Sequence, residues 1–195
     1  MFEPSSWLAP LDLAHLFAET QPLEVELGTG DGSFLAAYAA ANPAINFIGV
    51  ERLLGRLRKV DRKGLRGALK NLRLLRIEAS YFIQYLLPRG TVQAVHLYFP
   101  DPWPKRRHRA RRLVNSAFIE RLEQVLTPEG MVYLRTDDSD YFAQMTDLFS
   151  RAVAFRAAAT PDPLLALATD FERGFQRAGQ PIFRQAFRRS TPALL

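Results

Sequence analysis

No cysteine occurs among the 195 residues. Disulfides, thiolate metal sites and a cysteine nucleophile are therefore excluded, and the composition suits a reducing compartment. Histidine is scarce too, with three copies, so little is left for imidazole ligation and no metal is expected. No apolar run approaches the roughly 18 residues a membrane-spanning helix requires, and MFEPSSWLAP lacks the basic-then-apolar order of a secretory leader. No membrane association is expected, and a cytoplasmic location is. Repeats, low-complexity tracts and dividing linkers are missing as well. With 48% apolar residues the length suits one domain over residues 1–195, with 1–20 as an N-terminal arm and a core over about 21–190.

Charge is abundant but segregated. Residues 105–112 hold Lys105, Arg106, Arg107, Arg109, Arg111 and Arg112 with no acid, and residues 52–76 hold ten basic residues against Asp61 alone. These stretches carry +6 and +9 of a net +6, which leaves the remainder at −9. A basic surface on an otherwise acidic protein points to nucleic acid as the partner.

LEVEL at 23–27 reads as a short buried strand ending at Gly28, and GSFLAAYAAA behind it has helical composition. The alternation continues with NFIGVE at 46–51, a basic helix at 52–70, LRLLRIE at 72–78, a helix at 80–87 and AVHLYF at 94–99. A helix at 115–126, MVYLRT at 131–136, a helix at 139–149 and strands at 153–159 and 182–188 complete it. Seven strands with intervening helices predict an α/β fold, a mixed and mostly parallel sheet covered on both faces with its last strand antiparallel. Gly55, Gly64 and Gly67 each cost the basic helix about 1 kcal/mol relative to alanine, which predicts a weak or interrupted helix.

Between the first strand and helix, EVELGTGDG places Gly28, Gly30 and Gly32 where backbone can approach a ligand closely and free N–H groups favour acceptors. Ser33 stands where the dinucleotide fingerprint GxGxxG has its last glycine, which disfavours a nicotinamide cofactor. Glu51, at the end of the second strand, is placed for a ribose diol. Glu26 sets a carboxylate beside the loop, suited to the ammonium and sulfonium of S-adenosylmethionine (SAM) rather than to a pyrophosphate. Glu78, ending the third strand, is placed either to accept from an adenine amine or to stand as an exposed strand-end acid.

The fourth strand runs into FPDPWPKRRHRARRL at its carboxyl end, the side on which open α/β sheets bind ligands. Pro100 fixes its own φ and Pro102 biases Asp101 toward extended backbone, so one carboxylate is aimed with little freedom. Trp103 is suited equally to stacking on a base and to packing on the domain.

ExGxGxG, GVE, FPDPWPKRRHRARRL, the TDD of 136–138 and TDFERGFQRAG at 169–179 together resemble the bacterial tRNA (guanine-N7-)-methyltransferases, the TrmB family within the class I SAM-dependent methyltransferases. The resemblance implies a Rossmann-like class I methyltransferase fold and SAM held by Glu26, Gly28, Gly30, Gly32, Glu51, Glu78 and Asp101. It implies a catalytic role for Asp101, substrate contacts from Lys105, Asp137, Thr169, Asp170, Phe171 and Glu172, and phosphate contacts from Arg106, Arg107, Arg109, Arg111 and Arg112. Thr169 or Asp170 is placed to cap a short helix, leaving Glu172 to accept from guanine's N1 and N2 donors. The implied reaction gives 7-methylguanosine at the variable-loop position 46 of tRNA, by a monomer or homodimer. One departure is Glu78, where the family usually carries aspartate or asparagine. Methylation of an exocyclic amine and a non-catalytic RNA-binding role are the alternatives; PDPW lacks the N/D-P-P-F/Y order of the amine methylases, and the intact acids and glycines oppose the second.

Overall fold

The computed structural model describes residues 1–190. After an arm carrying α1 (Leu13–Leu16), the chain alternates β1 (Leu23–Leu27), α2 (Ser33–Ala41), β2 (Asn46–Val50), α3 (Leu54–Arg66), β3 (Leu72–Leu75) and α4 (Ala79–Tyr81). A π-helical turn, Phe82–Leu86, extends α4 into β4 (Val92–Tyr98), and a 3₁₀ turn, Arg106–Arg111, leads to α5 (Ser116–Val125). Then follow β5 (Leu126–Thr136), α6 (Ser139–Arg151), β6 (Phe155–Ala158), α7 (Asp162–Ala166), α8 (Asp170–Arg177) and β7 (Phe183–Arg189). The sheet order is β3-β2-β1-β4-β5-β7-β6. The last strand, β7, runs antiparallel to both its neighbours, the orientation expected from the sequence.

The chain builds outward from β1 to β3 and then returns to set β4 on β1's other side. Loops leaving β1 and β4 diverge there, which opens a crevice at the carboxyl edge of the sheet. Strand alternation then sorts the two faces. Leu23, Val25 and Leu27 join Val95, Leu97, Val132 and Leu134 in the larger apolar core under α4, α5 and α6. The other face, under α2 and α3, receives Glu24, Glu26, His96, Tyr98, Tyr133 and Arg135, all buried. Toward the carboxyl ends of three central strands this face is thus polar or aromatic where an apolar residue would serve packing better, while Ala94 and Met131 continue it at the other end.

Several boundaries differ from the sequence expectation; β3 ends at Leu75 rather than at 78, so Glu78 caps α4 instead of ending the strand. α3 is continuous across Gly55 and Gly64, because Leu57 and Val60 are fully buried and Gly64 lies against Leu72; it stops at Gly67. β5 starts at Leu126, directly after α5, rather than at 131, with Glu129 at positive φ before the regular pairing with β4. The arm is also tied down. Phe2 N donates to Leu74 O, Arg73 Nε to Leu16 O and Tyr81 Oη to Trp7 O.

Candidate functional site

Gly28, Gly30 and Gly32 all take positive φ, at 83°, 56° and 71°, which explains glycine at each step of the turn between β1 and α2. A Cβ on Gly32 would also fall 2.5 Å from Val60 Cγ1, so this glycine packs the loop on α3. Gly28 and Gly30 instead line a cleft together with Glu26, Thr29, Tyr98 and Phe171. Within the turn itself the backbone donors are engaged by the protein. Gly28 N and Thr29 N donate to Val50 O, Gly32 N to Thr29 O, and Gly30 N to Glu51 Oε2 at 3.1 Å. Glu51 is 7% exposed and its other oxygen accepts from Leu53 N at 2.8 Å. The N–H groups of Gly28, Thr29, Gly30 and Gly32 are thus engaged within the protein, and polar side chains stand beside them.

Three such side chains are unsatisfied. Glu26 Oε2, Thr29 Oγ1 and Ser33 Oγ are buried without a hydrogen-bond partner among the described residues, and all three residues line the same cleft. Buried polar groups are normally paired, so these atoms leave hydrogen-bonding capacity open in this cleft. Burial pushes the Glu26 carboxyl well above the ordinary carboxylate range, a shift that the nearby Arg135 guanidinium partly offsets.

Arg135 belongs to a network below the cleft. Its Nη1 donates to Glu172 Oε2 and to Leu167 O, each at 2.7 Å, and its Nη2 donates to Leu164 O. The guanidinium stacks 4.3 Å from the Tyr98 ring centroid. Glu172's other oxygen accepts from Arg184. Beneath Tyr98, His96 shares hydrogen bonds with the Tyr98 hydroxyl at 2.8 Å and Glu24 Oε2 at 2.7 Å. Sequence reasoning missed Glu24, His96 and Arg135; the signal was the polar second position repeated in LEVEL, HLY and YLRT. It also mistook Glu172. That side chain is 1% exposed and bound on both oxygens by arginines, so the reading of it as a free acceptor for guanine is corrected. Thr169 caps α8 by accepting from Glu172 N at 3.0 Å, Asp170 stays exposed at the cleft, and Phe171 lies over Gly30 rather than in a core.

The proline loop after β4 is braced from both ends. Phe99, at φ 52°, donates its N–H to Arg135 O at 2.8 Å. Arg112 Nε donates to Pro102 O at 2.7 Å, while its Nη atoms reach Asp140 Oδ2 at 2.7 Å and Gln144 Oε1 at 2.5 Å on α6. Arg112 is 2% exposed, so its expected phosphate contact is corrected to a brace for the loop. Asp101 is exposed, and its carboxylate makes no hydrogen bond among the described residues. Lys105, Arg106, Arg107, Arg109 and Arg111 are exposed around it, with Arg109 paired to Asp140 and Arg111 stacked 5.1 Å from the Trp103 centroid. Trp103 is thereby half-buried against its own loop.

Glu78 and Asp137 follow β3 and β5 at the same edge. Glu78 Oε2 caps α4, accepting from Ser80 N at 2.8 Å and Tyr81 N at 3.2 Å, which leaves Oε1 for other partners. Asp137 is half-buried without a hydrogen bond among the described side chains, and the neighbouring Asp138 caps α6 through Tyr141 N at 2.7 Å.

Residues 20–185 match a family model described as "Putative methyltransferase". The chain is 38% identical to the tRNA (guanine-N(7)-)-methyltransferase of Geobacter metallireducens over 82% of this chain and 75% of that one. It is 33% identical to the enzyme of the same name from Rubrobacter xylanophilus, over 94% and 84%. Among solved structures the 16S rRNA methyltransferase KamB superposes with a TM-score of 0.70 at 16% identity, covering 97% of this chain and 96% of that one, a likeness of fold. The fold is that of the Rossmann-like class I methyltransferases, and among the described residues no helix is long and apolar enough to cross a membrane. The match over most of the chain makes it a member of the TrmB family.

Proposed function

We propose that this protein transfers a methyl group from SAM to N7 of a guanosine in tRNA, at the variable-loop position 46. The observation that carries the reading is the cluster of unpaired buried atoms, Glu26 Oε2 with Thr29 Oγ1 and Ser33 Oγ, in a cleft that Phe99 also lines, two residues before the exposed Asp101 of the braced loop. SAM fits this donor set: Glu26 and the two hydroxyls suit its ammonium and carboxylate end, Glu51 its ribose diol, the free oxygen of Glu78 its adenine amine, and Gly28 leaves open space where a Cβ would stand. When bound, SAM supplies an electrophilic methyl on a sulfonium.

Guanine N7 carries its own lone pair, so no base need remove a proton and alignment dominates. Asp101 faces the positive charge that develops on the purine, an electrostatic contact that costs no reorganisation because the loop is already fixed. Lys105 supplies a point cation for phosphate or a base acceptor, and Arg106, Arg107, Arg109 and Arg111 offer planar donors to phosphates. Asp137, and Asp170 beyond its loose 3.6 Å ion pair with Arg173, are the carboxylates placed for guanine's N1 and N2 donors. Incubation with radiolabelled SAM and unmodified tRNA, followed by nucleoside analysis, tests the reading. Labelled 7-methylguanosine is the expected product; label on an exocyclic amine, or none, overturns it.

Two ligand measurements probe the pocket itself. Glu51→Ala is expected to weaken SAM binding by about 1 to 3 kcal/mol, the scale of lost charged hydrogen bonds, in calorimetry with SAM alone; unchanged affinity removes Glu51 from the pocket. Affinity should also depend on pH through Glu26. Its carboxyl holds a proton above the ordinary range in the free protein, while a cationic ligand favours the ionised form. SAM binding therefore releases a proton and strengthens as pH rises toward the raised value. Folding stability runs the other way, falling as pH climbs from the ordinary carboxylate value through that window, because ionising a buried acid costs the native state. Calorimetry in buffers of different ionisation heat reads the proton directly, and Glu26→Gln should abolish it.

A further inference from the structure

α3 carries charge for which the site described above has no use. Arg58, Arg62 and Arg66 recur at every fourth position, so they share one face at intervals of about 6 Å along the axis, and Lys59 borders the row. All four are exposed, and none makes an ion pair among the described residues. Like charges four residues apart oppose helix formation, and the one acid of the helix, Asp61, is only half-exposed. A face selected for solubility would intersperse both signs. This one accepts a local cost that a bound polyanion would remove.

Its place in the fold suits that role. α3 follows β2, while the proline loop follows β4, so the two lie on opposite sides of β1 and of the cleft. α3 touches two residues that line the cleft: Arg56, near its start, sits 5.5 Å from the Phe171 ring centroid, and Lys63, near its end, holds Asp31 Oδ2 of the glycine loop through Nζ at 2.6 Å. A lipid surface is a poorer match, because Leu65 is the one large apolar side chain exposed within α3, far short of an insertable face. We infer that the exposed face of α3 is a second RNA-backbone surface, placed so that tRNA is held on both sides of the cleft. This rests on the tRNA reading above and extends it to residues outside the loop of 105–111.

The test compares wild type with the triple variant Arg58→Gln, Arg62→Gln, Arg66→Gln and with the single variant Arg62→Glu. tRNA retention on filters is measured across a salt series, alongside SAM affinity and kcat at saturating tRNA. The triple variant should bind tRNA at least tenfold more weakly at low salt, and its log–log salt slope should fall by roughly 2 to 3, three phosphate contacts at roughly 0.7 to 0.9 each. SAM affinity and saturated kcat should hold, which separates loss of an RNA contact from loss of the fold; if the triple variant loses SAM as well, Arg62→Glu decides, with weaker tRNA binding at unchanged SAM affinity as the supporting result. Full tRNA affinity and slope in the variants, with wild type methylating tRNA, overturns the inference and leaves α3 a solvated face. A wild-type protein that neither binds nor methylates tRNA overturns the proposed function itself.

Discussion

Replacing Asp101 by alanine is expected to lower kcat by about 10² to 10³, the scale for losing one preorganised electrostatic contact, while tRNA affinity stays nearly unchanged. The expectation rests on how the loop is built. Phe99 is anchored to β5 by its N–H, Pro100 and Pro102 restrict the backbone on either side, and Arg112 ties Pro102 O to α6. Asp101 itself contributes nothing to this bracing, since its carboxylate has no partner among the described residues. Its removal should therefore leave the loop and its cations in place. Single-turnover methylation at saturating SAM, set beside filter retention of tRNA, reads the two effects separately. Full activity in the variant ends the catalytic role, and a loss wholly recovered by raising SAM reduces Asp101 to a cofactor ligand.

The division between what the sequence revealed and what it hid follows the kind of interaction involved. Glycines, prolines and strand periodicity act locally, so the sheet order's parallel core, the antiparallel last strand and the positions of Glu26, Glu51 and Asp101 at strand ends were legible from composition and spacing. Partner choice by long side chains is not local. Arg112 and Arg106 stand in the same basic run, yet one is buried against Asp140 and Gln144 and the other is solvated, a difference set by α6 some thirty positions further on. Glu172 was misjudged for the same reason. Its two arginines lie on β5 and β7, and only the folded sheet brings them to one carboxylate. The basic run of 52–76 was visible as charge, but its orderly row on α3 depends on a helix whose glycines argued against its continuity until Leu57 and Val60 were seen to be buried.

Glu172→Ala should be the most destabilising single change near the site, by about 3 to 5 kcal/mol, because it leaves a buried guanidinium uncompensated. Arg135 has 2% of its side chain exposed, and without Glu172 its remaining acceptors are the carbonyls of Leu164 and Leu167, which neutralise no charge. Arg184 suffers less, being about a third exposed and able to turn to water. For a chain of this size each kcal/mol moves Tm by roughly 2 to 4 °C, so a thermal melt should fall by about 6 to 20 °C. A melt at the wild-type temperature would show that the pair contributes nothing. Removing both partners as Arg135→Met with Glu172→Leu should restore most of the loss, since apolar replacement of a buried pair avoids the stranded charge. That double variant should still differ from wild type in one respect. Arg135 is the cation that holds the Glu26 carboxyl down against its burial, so without it Glu26 should keep its proton to still higher pH. The rise of SAM affinity with pH would then shift upward in a protein of near-native stability. An unshifted profile in a well-folded double variant would show that Arg135 serves the packing of α8 alone and not the charge of the cofactor pocket.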